Sequence, residues 1–301
     1  MDNKIEHQLL SSWDRQLSKS RPHWVHRSDL PFPYNRDAPS MAYDPAAIPS
    51  RQLGPFLHLI YSPPSEANDL SVTREAIESG HPLGNLAHEF VNELIKYPSR
   101  DDLIVIPNRW PRVSYHSLIV TREIMPQKLT QNLIDAELSW AETGFVVEFH
   151  RFKRILDHFH FHIYPGEYSP IFSAKDSFAV KSDFGHYEFG QLDNYPVPHI
   201  ALRSRDRDFL TRSIERISNW LDDQRTSCGQ ILIKASDGSF VFMIFIRNDY
   251  RIEGMSFNLI GLIRTPKEVS LEDALSFAWK IHRRGRELSD TTASLAEVVS
   301  A

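Results

Sequence analysis

From Asp157 to Pro165 polar and apolar positions alternate without a break: His158, His160 and His162 fall at every second position, with Phe159, Phe161 and Ile163 between them. Strict alternation is the pattern of a half-buried β-strand, whose successive side chains point to opposite faces. The three imidazoles are therefore expected on one face, with the two phenylalanines and the isoleucine turned into a core. At a rise of roughly 3.3 Å per residue, neighbouring imidazoles start about 7 Å apart at their α-carbons, close enough to converge on one ligand.

The flanking patterns predict the elements around that strand. Leu103-Ile104-Val105-Ile106 reads as a buried strand, residues 107–112 as an irregular loop and His116-Ser117-Leu118-Ile119-Val120 as a returning strand. Leu133, Ile134, Glu137 and Leu138 stand at helical spacing, which predicts a helix over 130–143 stopped by Gly144. Residues 144–149 form the next strand, and Arg151-Phe152-Lys153-Arg154 a basic connection into the histidine strand. Nearer the start, a helix is expected over 6–18, followed by an arm to about residue 50 whose prolines and aromatics exclude a long helix. A strand over 53–61 and an amphipathic helix over 85–94 complete that region. Downstream the pattern predicts strands at 198–202 and 256–263 and a helix over 209–222. It also predicts a hairpin of 230–235 with 239–247 across Asp237-Gly238, and one last helix over 271–288.

Composition narrows the class. With 301 residues, 41% hydrophobic and 24% charged, the chain can bury a sizeable core. The first residues are charged and lack an apolar leader core, and no stretch approaches a membrane span, so we expect a soluble cytoplasmic protein with no membrane partner. The single cysteine, Cys228, excludes an internal disulfide and a thiolate zinc cluster. A net charge of −5 gives no reason to expect nucleic acid as a partner.

The histidine stretch has two chemical readings from the residues alone. Three imidazoles on one strand face can present nitrogens to zinc, iron or copper. Beside a basic connection they can equally serve a phosphate, since cations are strong charge-assisted donors.

His158-Phe159-His160-Phe161-His162-Ile163-Tyr164 resembles the pattern of the histidine-triad (HIT) superfamily of nucleotide hydrolases and transferases. The stretch from Ile106 through Asn108 and His116 to Val120 is similar to that superfamily's strand-loop-strand. The resemblance covers residues 100–166 well, and the length points to the galactose-1-phosphate uridylyltransferase and diadenosine-tetraphosphate phosphorylase branch. It implies an α+β fold with HIT-like antiparallel sheets and flanking helices, in two HIT-like halves with the triad only in the first. The expected organisation is an arm at 1–50, a triad-bearing half at 51–170 and a second half at 171–301.

The same resemblance implies a covalent nucleotidyl-histidine on His160, with His158 and His162 orienting it and binding phosphoryl oxygens or the leaving group. Asn108 falls on the nucleoside side. Where the superfamily usually has a glycine- and serine-containing phosphate loop this chain has Arg151, Lys153 and Arg154, expected to neutralise phosphoryl charge. His162 stands where uridylyltransferases commonly have glutamine, which favours phosphorolysis or hydrolysis over sugar exchange. The expected substrate is a nucleoside polyphosphate or nucleotide sugar, with orthophosphate as a possible acceptor, no cofactor, no metal and a possible homodimer. A HIT-type hydrolase, a histidine-ligated metalloenzyme and a non-catalytic nucleotide-binding protein remain as alternatives.

Overall fold

The computed structural model describes residues 3–20, 44–47, 50–52, 58–61, 95–97, 100–108, 111–123, 125–151, 158–193, 195–247, 251–252, 255–265, 269–280, 282 and 286–300. The expected helix over 85–94, most of the arm and the connection at 152–157 lie outside them.

Helix α1 (Asn3–Ser20) opens the chain, followed by short strands β1 (Ser50–Gln52), β2 (His58–Tyr61) and β3 (Ile95–Tyr97). Strands β4 (Arg100–Pro107) and β5 (Ser117–Thr121), helix α2 (Gln131–Glu142), and strands β6 (Phe145–Arg151) and β7 (His160–Pro165) come next, in the predicted order. Gly144 ends the α2 turn at φ +88°, a conformation that only glycine adopts without strain. Two 3₁₀ turns, Gly166–Tyr168 and Pro170–Ala174, lead to β8 (Phe178–Asp183), β9 (Tyr187–Leu192) and β10 (Ile200–Ser204). Helix α3 (Arg207–Asp223) starts where the Asp206 carboxylate accepts from the Phe209 N–H. The hairpin of β11 (Cys228–Lys234) and β12 (Phe240–Ile246) follows, then β13 (Arg251–Ile252), β14 (Met255–Asn258), β15 (Leu262–Thr265), α4 (Leu271–Lys280) and α5 (Arg286–Ser300).

Two expectations are corrected here. The strand expected at 256–263 is a tight pair, β14 and β15, turning at Gly261 with φ +96°. The single last helix is two, α4 and α5, because His282 leaves the helical path to form a bridge with Arg247. Strands β8 and β9 were not anticipated.

Ten strands form one antiparallel sheet in the order β3-β4-β5-β7-β6-β11-β12-β10-β9-β8. Reading outward from the β6/β11 pair, both wings have the same design: β6-β7-β5-β4 on one side and β11-β12-β10-β9 on the other, each with a helix between its second and third strand in sequence. A smaller sheet, β1-β2-β15-β14-β13, joins β1 and β2 to the C-terminal part through the parallel pair β2–β15.

Each face of the large sheet has its own core. On one face Phe145, Val147, Phe149, Phe159, Phe161 and Ile163 pack with Leu133 and Ile134 of α2, Leu210, Ile214, Ile217 and Leu221 of α3, and Leu295 of α5. On the other, Val241, Met243 and Phe245 of β12 are covered by Leu259, Ile260, Leu262, Ala274 and Phe277. Burying a large apolar side chain stabilises by about 1.5–3 kcal/mol, so the alternation of β7 and β12 fixes which face each strand presents. β7 and β12 hold matching places in the two wings, yet β7 puts histidines where β12 has valine, methionine and phenylalanine. Among the described residues no helix is long and apolar enough to cross a membrane.

Candidate active site

The β7 alternation places His160, His162 and Tyr164 on the face away from α2 and α3. The β6 register, Glu148↔His162 and Val146↔Tyr164, adds Glu148 and His150 to that face. From the loop between β4 and β5 come Asn108, Arg112 and His116.

These side chains form one connected array. His160 donates its Nδ1–H to the carbonyl of His158 at 2.7 Å, which puts the ring's lone pair on Nε2. His162 lies beside it, with ring centroids 5.4 Å apart. The Arg112 backbone N–H donates to His116 Nδ1 at 3.1 Å, so a neutral His116 carries its hydrogen on Nε2. That nitrogen is 2.8 Å from His162 Nδ1, which must then accept, leaving the His162 hydrogen on Nε2. Asn108 is nearly buried; its main-chain N–H donates to the His116 carbonyl at 3.0 Å, and its side-chain amide lies 3.1 Å from His116 Nε2, where a donating Nε2–H calls for the amide oxygen as acceptor. Tyr115, just before His116, holds φ +61°, a strained value for a bulky residue.

Beneath the imidazoles sits a charged group. Glu148 is fully buried; it accepts from Arg112 Nη1 at 3.1 Å and from the Tyr164 hydroxyl at 2.5 Å, and His150 Nε2 stands 3.0 Å from its other oxygen. Burial pushes the Glu148 carboxyl up, but His150, Arg112 and His162 outweigh it and hold it well below the usual carboxylate range. Burial, and then the Arg112 charge, hold His162 well below its ordinary value, and burial lowers His150. Both rings are therefore neutral near pH 7.

Strand β7 itself carries two of the three imidazoles, His160 and His162. His158 lies ahead of β7, fully buried, with Nε2 3.0 Å from the Thr121 carbonyl; its own carbonyl is what orients His160. Arg151 is corrected. It ends β6 on the helix-covered face, 1% exposed, where its guanidinium pairs with Asp222 and donates to the Ser218 carbonyl at 2.7 Å. The period-two alternation that puts Glu148 and His150 on the site face turns Arg151 away from it. Lys153 and Arg154 lie outside the described residues. Among the described residues the cation that pairs with the Glu148 carboxylate is Arg112, and Arg247 is a second one, near enough to His150 to help lower it. Among the described residues no group of three histidine, cysteine or carboxylate side chains is arranged to hold a metal ion.

Sequence reasoning did not assign Arg112, His116, Glu148 and His150 to the site. The signal for Glu148 was its place in the strand expected over 144–149; His150 joins it because that strand runs on to Arg151, two residues past the expected end.

The sequence matches no protein-family model and no curated protein. Among solved structures, the yeast Ap4A phosphorylase Apa2 in complex with Ap4A is similar over 91% of this chain and 97% of that one, with a TM-score of 0.58 at 13% identity. The same enzyme in complex with AMP is similar over 97% and 93%, with a TM-score of 0.54 at 16% identity. The chain has the fold of yeast Ap4A phosphorylase. That α+β fold is the one implied by the resemblance to the phosphorylase branch, and the likeness runs through both wings of the sheet.

Proposed function

We propose that the protein is a nucleotidyltransferase of the phosphorylase kind, acting on a nucleoside polyphosphate or nucleotide sugar through a nucleotidyl-histidine on His160. The observation that carries this reading is the tautomer of His160: with Nδ1–H given to the His158 carbonyl, the lone pair of a neutral ring stands on Nε2 beside His162. Attack by Nε2 on the α-phosphorus forms a P–N bond while the P–O bond to the leaving phosphate breaks and its electron pair departs on oxygen. An acceptor oxygen then attacks the same phosphorus, and the P–N electrons return to His160.

His162, with its hydrogen on Nε2, supplies a neutral donor for a phosphoryl oxygen, and Arg112 a fixed positive charge nearby. His158 acts through its carbonyl, and Asn108 through its contacts with His116. Triad nitrogens occupied in this way, by the Thr121 and His158 carbonyls and by His116, suit phosphoryl chemistry better than metal ligation. The shared fold with an enzyme whose structures hold Ap4A and AMP supports a nucleotide as substrate.

The deciding experiment supplies dinucleoside polyphosphates and nucleotide sugars with and without orthophosphate and separates the products chromatographically. Nucleoside diphosphate formed only with phosphate is the expected result; monophosphate formed equally fast without it makes the protein a hydrolase. With α-labelled substrate and an alkaline quench, label should stay on the native protein, since a phosphoramidate survives base. His160→Ala should lose both label and turnover, and near-native activity in that variant would refute the assignment.

A further inference from the structure

The register between β6 and β7 runs from Phe145↔Pro165 to Glu148↔His162 and stops there. Continued by two residues it would set His150 opposite His160. On its other side β7 keeps its neighbour, with Val120 of β5 paired to His160. In a strand the N–H and C=O of one residue point toward the same neighbour. Those of His160 are both taken up by a single side chain from the segment between β5 and α2: Gln127 Oε1 accepts from the His160 N–H at 2.9 Å, and Gln127 Nε2 donates to the His160 carbonyl at 2.6 Å. The same Nε2 lies 3.5 Å from the carbonyl of His150. Gln127 is buried, and two residues earlier the Met125 carbonyl accepts from the Phe159 N–H at 2.8 Å.

We propose that Gln127 is a positioning residue for nucleotidyl transfer: its carboxamide takes the place of a strand partner opposite His160 and fixes the main chain that carries the His160 ring and the His158 carbonyl. The proposal rests on the reading of His160 as nucleophile. A primary carboxamide offers one donor and one acceptor side by side, the pattern a paired strand would offer. Direct pairing with β6 would bring the two α-carbons to about 5.5 Å. With the amide inserted, direct β6–β7 pairing ends at Glu148↔His162, and the main chain of His160 is held by Gln127 instead of by β6. Rigidity here matters because misplacing a reacting atom by about 1 Å can slow a reaction roughly a hundredfold.

Gln127→Glu and Gln127→Leu test this. A protonated carboxyl keeps the donor and acceptor pair; a carboxylate has no hydrogen for the His160 carbonyl and repels it. Turnover of Gln127→Glu, divided by wild type at each pH to remove the titrations of the neighbouring His150, His158 and His160, should be near one in acid. It should fall about a hundredfold as the pH rises through the new carboxyl's titration. KM should stay close to wild type, since the substrate is not touched. Gln127→Leu should show low kcat at every pH with unchanged KM. Wild-type kcat in Gln127→Leu, or a Gln127→Glu ratio that is flat with pH, overturns the proposal; if Gln127→Leu does not fold, the Gln127→Glu profile decides alone. Alkaline trapping separates the two layers. Absence of label on wild-type protein defeats the His160 reading itself, whereas equal labelling rates in wild type and Gln127→Leu defeat only the role of Gln127.

Discussion

Glu148 is buried without exposure and ionised, so its stability depends on the partners around it, and Arg112 is the one with a permanent charge. Removing that partner leaves an uncompensated buried charge, a change that costs about 3–5 kcal/mol. Arg112→Leu should therefore lower the free energy of unfolding, measured by urea titration, by about that much. The pH dependence has a definite sign. A carboxyl whose folded pKa lies below its unfolded value, near 4.5, contributes stability above that value and loses it as pH falls through the folded one. Arg112→Leu raises the folded pKa, so acid unfolding followed by circular dichroism should begin at a higher pH than in wild type. Unchanged acid unfolding would mean that His150 and His162 alone hold the carboxylate. None of this was legible in the sequence, where Arg112 is one of several basic loop residues. Its partner Glu148 gains meaning only from the register that sets it opposite His162. The triad itself was legible because its alternation is local, and the same alternation, followed one strand upstream, turns Arg151 to the helices.

At the level of elements, α2 and α3 pack on the first core through apolar stripes, but α2 also buries Glu137 there. Burial pushes the Glu137 carboxyl up to about 8 against the opposing pull of Arg151, whose guanidinium is paired with Asp222. Between pH 4.5 and about 8 the unfolded chain releases this proton while the folded one keeps it, so stability declines with rising pH across that window and is level above it. A shift of this size corresponds to roughly 4–5 kcal/mol. Glu137→Gln has no proton to lose. It should melt near wild type at pH 4.5 and well above it at pH 8, and equal melting curves at pH 8 would show that Glu137 ionises in place. Helix α2 was readable from spacing that included Glu137, because a 3.6-residue period marks a face without telling which of its members pays no desolvation cost. Elements whose shape is set by distant partners were not readable. The apolar pattern of 271–288 runs on as if one helix, and the break comes from the His282 bridge to Arg247 on the far strand. β8 is an edge strand with its last four residues exposed, so it lacks the alternation that a buried face imposes.

On the scale of the molecule, the two wings meet through the β6–β11 pairing, in register from Val147↔Leu232 to Arg151↔Cys228. The first core runs across that seam: Phe145, Val147 and Phe149 of one wing share it with Ile217, Leu221 and Leu232 of the other. Arg151 of the first wing closes an ion pair with Asp222 of the second, and β2 takes its parallel partner β15 from the far end of the chain. A chain cut in the exposed segment after Lys175 would leave β6 as a bare, apolar edge and strip α2 of the helix it packs against. Edges of that kind pair with other chains. Residues 1–175 expressed alone are therefore expected to aggregate or to lack a cooperative melt, and 176–301 likewise. Co-expressed, the two pieces should assemble into a complex that elutes as one species and accepts label on His160. A cooperative melt of residues 1–175 alone, at a temperature close to that of the whole chain, would show instead that the triad wing is self-sufficient and the second wing an addition to it.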